Sequence, residues 1–418
     1  MIYTLKQKFL DNLIVFMLVM SSGGLLFVFN RNLSYGIFLA ILCISYFLMN
    51  KKIHKISFNS SIVTIIVLFG LFIINYLFAV NDQELNKYYY YFMVIFVSVF
   101  SLTHFANNKN RLLHRLYVVL QIIVFHSLIN FVFFFFINDN LSVISSTYHE
   151  CETFLNLFFY TTERGLVTLF GLEFCRNQGL FWEPGVLQVF LNIFFFLDAF
   201  VFKKNRFILV LTAVAIVTTY STTGIALLLL QSLVYILKEM KNNKWFVPLF
   251  IFLTIPVVII FSLNVEEKFQ GEKEGSFQKR LFDLTQPLFI AAEYPLTGIG
   301  LDLIQFQSMR EEFYFSSSNL QALQNQIGVD SKMTGTDRGS SNSVMFLFAA
   351  MGFPTAILLI YMFFKQQIIN DNKWLIMVIL LISVMSEPLL LRPFFFIFIV
   401  SGFFQFFNKI ISHKQELL

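Results

Sequence analysis

Apolar residues fall in long runs, near residues 10–29, 33–49, 60–80, 88–106, 116–137, 184–202, 207–220, 223–237, 245–263, 341–364, 374–390 and 393–407. Each approaches the roughly 20 residues that a helix needs to cross a bilayer. The pattern predicts an all-α polytopic membrane protein of about twelve spanning helices, within a range of ten to fourteen. The runs at 207–220, 223–237, 374–390 and 393–407 are short, which suggests tilted, paired or re-entrant segments. The first run is too long for a signal-peptide core and lacks a small-x-small cleavage site, so it reads as the first span.

The polar segments between the runs alternate in charge. Lys6 and Lys8; Lys51, Lys52 and Lys55; Lys109, Arg111 and Arg115; Lys203, Lys204 and Arg206; Lys238, Lys241 and Lys244; Lys365 and Lys373; and Lys409 and Lys414 all fall on one side. By the positive-inside rule that side is cytoplasmic, which places both termini inside and makes the number of spans even. Two outer segments are long, 138–183 and 264–340. The first has a partly apolar middle suited to lying along the interface. The second separates spans nine and ten and carries helical periodicity over 277–306. Together they are expected to cap a cavity at the outer surface.

Composition fits this picture: 57% of the 418 residues are hydrophobic, 13% are charged, and 57 are Phe, more than a soluble core of this length buries. The whole chain, 1–418, is therefore expected to form one membrane domain with loops. The net charge of +5 is small and implies no nucleic-acid surface. The type of cation is more telling. Of 18 cytoplasmic Lys and Arg three are Arg, whereas of 12 outer ones seven are Arg, namely Arg31, Arg164, Arg176, Arg280, Arg310, Arg338 and Arg392. Topology needs only positive charge, but the planar guanidinium binds phosphate bidentately, so the set points to anion binding. For any one residue, pairing with loop carboxylates or helix capping competes.

Four local patterns carry candidate chemistry. Arg176-Asn177-Gln178-Gly179-Leu180-Phe181-Trp182-Glu183-Pro184-Gly185 lies at the mouth of the sixth span. Pro184 suits a first helical turn, and the helix dipole beside Glu183 favours its ionised form. An Arg, a carboxylate and a Trp so spaced offer an anion clamp, a base and a sugar-stacking face, while interfacial anchoring is the plainer alternative. Ser221-Thr222-Thr223-Gly224 is a hydroxyl-rich turn that suits an anion site or an ordinary N-cap. Asp337-Arg338-Gly339-Ser340-Ser341-Asn342-Ser343 opens the tenth span, where capping is the main alternative. Glu387 and Arg392 stand at or near membrane depth, where charge is costly, either as a functional pair or as a mutual ion pair. Cys151 and Cys175 share the first outer loop, as a disulfide or as two thiols. Walker, HExxH and dinucleotide motifs are absent, as is a Cys/His metal cluster, so no metal or cofactor is expected.

These segments resemble the bacterial O-antigen polymerase and ligase superfamily, and within it the Wzy-type repeat-unit polymerases. The similarity covers the hydropathy layout together with Arg176 to Gly185, Ser221 to Gly224, Pro295 to Gly300 (PLTGIG) and Ser341-Asn342-Ser343. It implies a glycosyltransferase of GT-C-like membrane fold in the bacterial inner membrane, acting at the outer face on undecaprenyl-diphosphate-linked oligosaccharides as donor and acceptor. The polymer would be an O-antigen, capsule or exopolysaccharide, and a chain-length regulator would be a partner. Arg176, Glu183 and Arg280 fall at catalytic positions under the resemblance. Trp182, Ser221, Thr222, Gly224, Arg338, Asn342 and Arg392 are the substrate-binding candidates. Ligases of the superfamily carry a His just before the Asn of the late span, whereas Ser341 precedes Asn342 here. That favours a polymerase and leaves Glu183 as first choice for the base, with Asp337 second. A ligase and a lipid-linked oligosaccharide flippase are the rival functions.

Overall fold

The computed structural model describes residues 5–48, 55–106, 108–146, 149–169, 171–239, 255, 257–266, 274–316 and 340–416. Its helices are α1 (Leu5–Met20), α2 (Leu25–Phe29), α3 (Arg31–Leu48), α4 (Lys55–Phe78), α5 (Leu85–His104), α6 (Lys109–Ile137), α7 (Thr162–Gly165), α8 (Pro184–Phe196) and α9 (Arg206–Thr218). They continue as α10 (Thr222–Glu239), α11 (Val257–Glu266), α12 (Glu274–Glu293), α13 (Leu303–Ser316), α14 (Ser343–Phe364), α15 (Lys373–Ser386) and α16 (Pro393–Glu416). α8 runs on through a π-helical stretch, Leu197–Phe202.

Among the described residues, five helical stretches are long and apolar enough to cross a membrane: Ser57–Phe78, Asn110–Asn140, Pro184–Phe202, Ser343–Phe364 and Pro393–Ile411. Five shorter apolar helices accompany them: Arg31–Phe47, Arg206–Thr218, Thr222–Lys238, Val257–Glu266 and Lys373–Ser386. The protein is thus mostly helical and membrane-type. Most of the ninth expected span, 245–263, lies outside the described residues, as do Asp337 and Arg338.

Several boundaries differ from those read in the sequence. The first run is not one helix over 10–29. α1 ends at Met20, where the Ser21 and Ser22 hydroxyls both donate to the Leu18 carbonyl, at 2.9 and 3.3 Å, and the chain turns through Gly23 and Gly24. Serine hydroxyls that bond back to the preceding turn compete with the helix ladder. The runs at 223–237 and 393–407 belong to longer helices, α10 and α16, because polar ends follow the apolar cores. The apolar middle of the first outer loop forms strands. β1 (Ser142–Ser145), β2 (Glu150–Phe154) and β3 (Phe158–Tyr160) make an antiparallel sheet, and β4 (Leu166–Leu169) pairs with β5 (Leu172–Cys175). The aromatic and β-branched residues there favour a pleated surface. In the second loop the helical periodicity is realised as α12 and α13.

The chain divides into two compact units. One comprises residues 1–41, 110–267 and 369–383, and the other 42–109, 268–368 and 384–418. In the first, α8 packs against α9 and α10, and every residue from Val186 to Phe196 is buried. A helix apolar on all sides belongs at the centre of a bundle. Phe181, ahead of α8, stacks on Phe190 with ring centroids 4.9 Å apart.

In the second unit, α16 packs against α4, α5 and α14, and α12 lies along α14. α14 is broken at Gly352, whose φ is 71° and ψ 169°. The break strands backbone groups that a membrane interior would penalise, and the Pro295–Gly300 turn takes them up. Ile299 and Gly300 donate to the Ala349 and Ala350 carbonyls at 3.0 and 2.9 Å, and Phe353 donates to Pro295 at 2.8 Å. Asn75 of α4 closes the joint, its Nδ2 donating to the Thr297 and Ala350 carbonyls at 2.7 and 2.8 Å.

Candidate functional site

In the first unit the Arg176–Gly185 segment is built onto α6, α9 and the α1–α2 turn. Asn177, fully buried, is its keystone. Its N–H donates to the Thr218 carbonyl at the end of α9 (3.1 Å), and its Nδ2 donates to the Ser127 carbonyl and Thr218 Oγ1, at 2.8 and 3.0 Å. Its Oδ1 accepts from the Gly179 N–H at 3.2 Å, closing the turn. This fixes the neighbouring Arg176, half-buried, whose Nε donates to the Thr219 carbonyl at 3.2 Å. A guanidinium at a helix C-terminus meets the negative end of the dipole. Further along, Trp182 N–H donates to the Gly23 carbonyl and the Leu25 N–H to the Leu180 carbonyl, at 3.1 and 2.9 Å.

Trp182 and Glu183 are both half-buried, and Trp182 Nε1 donates to Glu183 Oε1 at 2.8 Å. Glu183 is the N-cap residue of α8, with extended backbone and no capping hydrogen bond from its side chain. Its carboxylate is therefore turned to the Trp and away from the helix end. Among the described residues Oε2 takes no partner.

Ser221 acts as an N-cap: its Oγ accepts from the Gly224 N–H at 3.4 Å. Thr222 Oγ1 donates to Asn264 Oδ1 at 3.0 Å, and Asn264 Nδ2 returns to the Tyr220 carbonyl at 2.9 Å. Gly224 lies against Gln188 of α8, so close that a Cβ would stand 2.8 Å from that side chain. Two motifs far apart in sequence thus meet, because Thr219, the residue that Arg176 holds, is two before Ser221.

In the second unit Asn342 is the N-cap of α14, its Oδ1 accepting from the Met345 N–H at 3.1 Å. Ser343 Oγ donates to the Glu387 carbonyl at 3.2 Å, and Glu387 is buried. Arg392 Nη1 donates to the Tyr90 hydroxyl at 2.6 Å, with the guanidinium 5.4 Å from that ring. Arg280, half-buried, lies on α12, one turn before Asp283. Arg338 is not among the described residues.

Sequence reading missed a buried pair in the same unit. Asp283 of α12 and Arg310 of α13 form a 2.9 Å ion pair with both side chains almost wholly enclosed. Asp283 Oδ2 also accepts from the Ser341 N–H and hydroxyl, at 2.8 and 2.7 Å. Arg310 Nε donates to Gln286 Oε1 at 2.6 Å, and the guanidinium lies over Phe282 and Phe306. Burial pulls the Arg310 pKa down from its ordinary value, and Asp283 opposes that shift. The pair therefore clasps the residue before Asn342. Removing one partner leaves the other buried and uncompensated, so Arg310→Met should cost about 3–5 kcal/mol. Adding Asp283→Asn should recover part of the loss in a thermal melt in detergent. A second miss is Gln178, buried beside Arg176. Its Oε1 accepts from Thr161 Oγ1 at 2.7 Å, while its Nε2 has no partner among the described residues.

Cys151 and Cys175 are free and buried, in separate clusters: Cys175 with Phe134, Ile137 and Tyr160, Cys151 with Leu25 and Phe159. The two-thiol alternative is the one realised. Burial pushes Cys151 up to about 12 and Cys175 up to about 11, with neighbouring Glu152 adding to both. The folded state thus holds its thiol protons above the ordinary value near 9, and stability falls as pH rises from there through about 12. Neither thiol should react with a water-soluble maleimide at pH 7 until the protein is unfolded, and reduction should leave gel mobility unchanged. Among the described residues, no group of three or more His, Cys, Asp or Glu is placed to hold a metal ion.

Helices of membrane length, and an Arg176 that meets the hydroxyl-bearing turn through the Thr219 carbonyl, define a membrane protein with an anion-binding candidate site. The O-antigen ligase family model matches residues 207–360, from the second residue of α9 into α14. That bears out the resemblance to the O-antigen polymerase and ligase superfamily. The matched stretch holds Ser221–Gly224, Arg280, Asp283, Pro295–Gly300, Arg310 and Asn342, and the Arg176–Gly185 segment precedes it. Members of that family are glycosyltransferase-like enzymes that act on lipid-linked glycans. No curated protein matches the chain.

Proposed function

We propose that this protein polymerises undecaprenyl-diphosphate-linked oligosaccharide repeat units into a surface polysaccharide at the outer face of the inner membrane. The observation that carries this reading is the meeting of Arg176, through the Thr219 carbonyl, with the Ser221–Gly224 turn, on a segment that also bears the half-buried, hydrogen-bonded Trp182–Glu183 pair. The twelve-span topology with both termini cytoplasmic is part of the proposal. α9 has 13 residues. It therefore spans about 20 Å of a hydrocarbon core of about 30 Å, and its outer end stops roughly 10 Å short. Arg176 and Asn177 occupy that remainder, which recesses the cation to the depth where a lipid diphosphate meets its isoprenoid.

In this mechanism the acceptor sugar hydroxyl attacks the donor's anomeric carbon as the bond from that carbon to the diphosphate oxygen breaks. The hydroxyl proton passes to Glu183 Oε2, while Trp182 holds Oε1. The diphosphate departs as an anion that Arg176 stabilises with its guanidinium. Arg280 and Arg338 are assigned to anion and substrate binding on the resemblance alone, and Arg392 to the substrate on its charge at membrane depth. The chemistry needs no metal or cofactor. Ser341 supports a polymerase, because its hydroxyl and N–H are engaged by Asp283 where a ligase would present an imidazole.

The ligase remains the second reading, favoured by the description of the matching family. Glycans from cells with and without the gene separate the two. Single repeat units in place of a ladder in the deletion indicate a polymerase. Full-length polymer stranded on its carrier indicates a ligase, and repeat units confined to the cytoplasmic face indicate a flippase. Either of the last two outcomes overturns the proposal.

A further inference from the structure

The β2–β3 hairpin lies along α6 far from that helix's outer end. Phe158 stacks on Phe133 and on His126, with centroids 5.0 and 5.7 Å apart. His126 Nε2 lies 2.9 Å from the Leu157 carbonyl. A carbonyl only accepts, so Nε2 carries the proton and donates. Tyr160, at the other end of β3, donates its hydroxyl to the Asn130 carbonyl at 2.8 Å and packs on Phe134. The strand thus follows α6 inward from its outer end, and its turn reaches His126. That residue is 11 positions before Ile137, about 16 Å along the axis. The apolar run of α6 is bounded by Arg115 and by Asn138 and Asp139, so His126 falls near its middle.

The tip is built in an unusual way for a water-facing turn. Leu155 and Asn156 both have φ of 54°, and Leu157 N–H donates to the Phe154 carbonyl at 3.1 Å, a two-residue hairpin turn. Asn-Gly or Asp-Gly is the usual choice there. Leucine in the left-handed region costs about 1–2 kcal/mol, and this leucine is 70% exposed, with Leu157 at 58%. No charged residue occurs from Thr153 to Thr162. The exposed surface continues onto α6 through Ile122, Phe125, Ile129, Val132 and Phe133, all open to the surroundings.

We propose that the β2–β3 hairpin is a re-entrant element dipping into the outer leaflet, its tip at Leu155 and Leu157 lying against lipid hydrocarbon. Two features make this tolerable for backbone in an apolar medium. The antiparallel ladder pairs most of its polar groups, and His126 satisfies the Leu157 carbonyl at the tip. An ionisable residue at such depth calls for a role, and capping that carbonyl supplies one. The hairpin is then a wedge at the lipid-facing side of the Arg176 segment, since Asn130 bridges Phe159 of β3 and Asn177, at 3.1 and 3.3 Å. The inference rests on the membrane topology and not on the reaction, so a ligase would carry the same wedge.

The test is electron paramagnetic resonance on the full chain in phospholipid vesicles, with Cys43→Ser to remove the exposed thiol. A nitroxide is placed by Leu155→Cys or Leu157→Cys, with Ile129→Cys as lipid-facing reference and Glu163→Cys as aqueous reference. Collisions with oxygen should exceed those with a water-soluble nickel chelate at 155 and 157, giving ratios near that at 129 and several-fold above that at 163. Ratios at 155 and 157 matching position 163 overturn the proposal. His126→Ala should shift both labels toward the aqueous value. His126→Gln, which keeps an N–H donor, should not.

Discussion

Arg176→Ala is expected to reduce the polysaccharide ladder to single repeat units, and Arg176→Lys to recover little of it. The argument is geometric. Nε is committed to the Thr219 carbonyl at 3.2 Å, which orients the rest of the planar guanidinium. An ammonium is a single point of charge and cannot hold that carbonyl while also offering a fork to a diphosphate. Losing one preorganised donor to a developing oxyanion costs about 10²–10³ in rate, enough to erase a ladder that needs many successive transfers. The Asn177 bonds to Ser127 and Thr218 are independent of the arginine, so both variants should fold. Glycan gels with matched protein levels give the reading. A normal ladder from Arg176→Lys would remove the fork from the mechanism, and one from Arg176→Ala would remove the residue.

The long apolar helices were legible because hydrocarbon length imposes runs that nothing else in the chain mimics. α4, α8 with its π-helical extension, and α14 begin and end within a few residues of their apolar runs. What sequence could not supply was partnership at a distance. Asn177 reads as a spacer between Arg176 and Gly179, yet it joins α6, α9 and the turn. Asp283 and Arg310 are 27 residues apart on separate helices, and only their enclosure, with Ser341 as third member, shows them to be a clasp. The strands of the first loop were hidden for another reason. Phe158-Phe159-Tyr160 and Leu166-Val167-Thr168-Leu169 are too short to declare a period, and apolar runs of that length fit strand or interfacial helix alike. Ser221 and Asn342 cap their helices, as one of the two readings of each had it.

Gly298→Ala and Gly352→Ala should each cost about 2–5 kcal/mol, summing a left-handed φ that alanine resists with an overpacking term. The two glycines face each other across the joint in α14. At Gly298, φ is 67° and a Cβ would stand 2.4 Å from the Ala349 carbonyl oxygen. At Gly352, φ is 71° and it would stand 2.4 Å from that of Leu296. The obstructing atoms are backbone, so no rotamer change relieves them, and moving them breaks the Ile299, Gly300 and Phe353 bonds that close the gap in the helix. Because both substitutions open the same joint, the double variant should cost less than the sum. Gly36→Ala is the control, with nothing within 4 Å of its Cβ. In detergent melts the control should match the unaltered protein while the joint variants melt far lower. If they melt with the control, the Pro295–Gly300 turn does not hold the two halves of α14, and the start of that helix at Asn342 depends on the Asp283–Arg310 clasp alone.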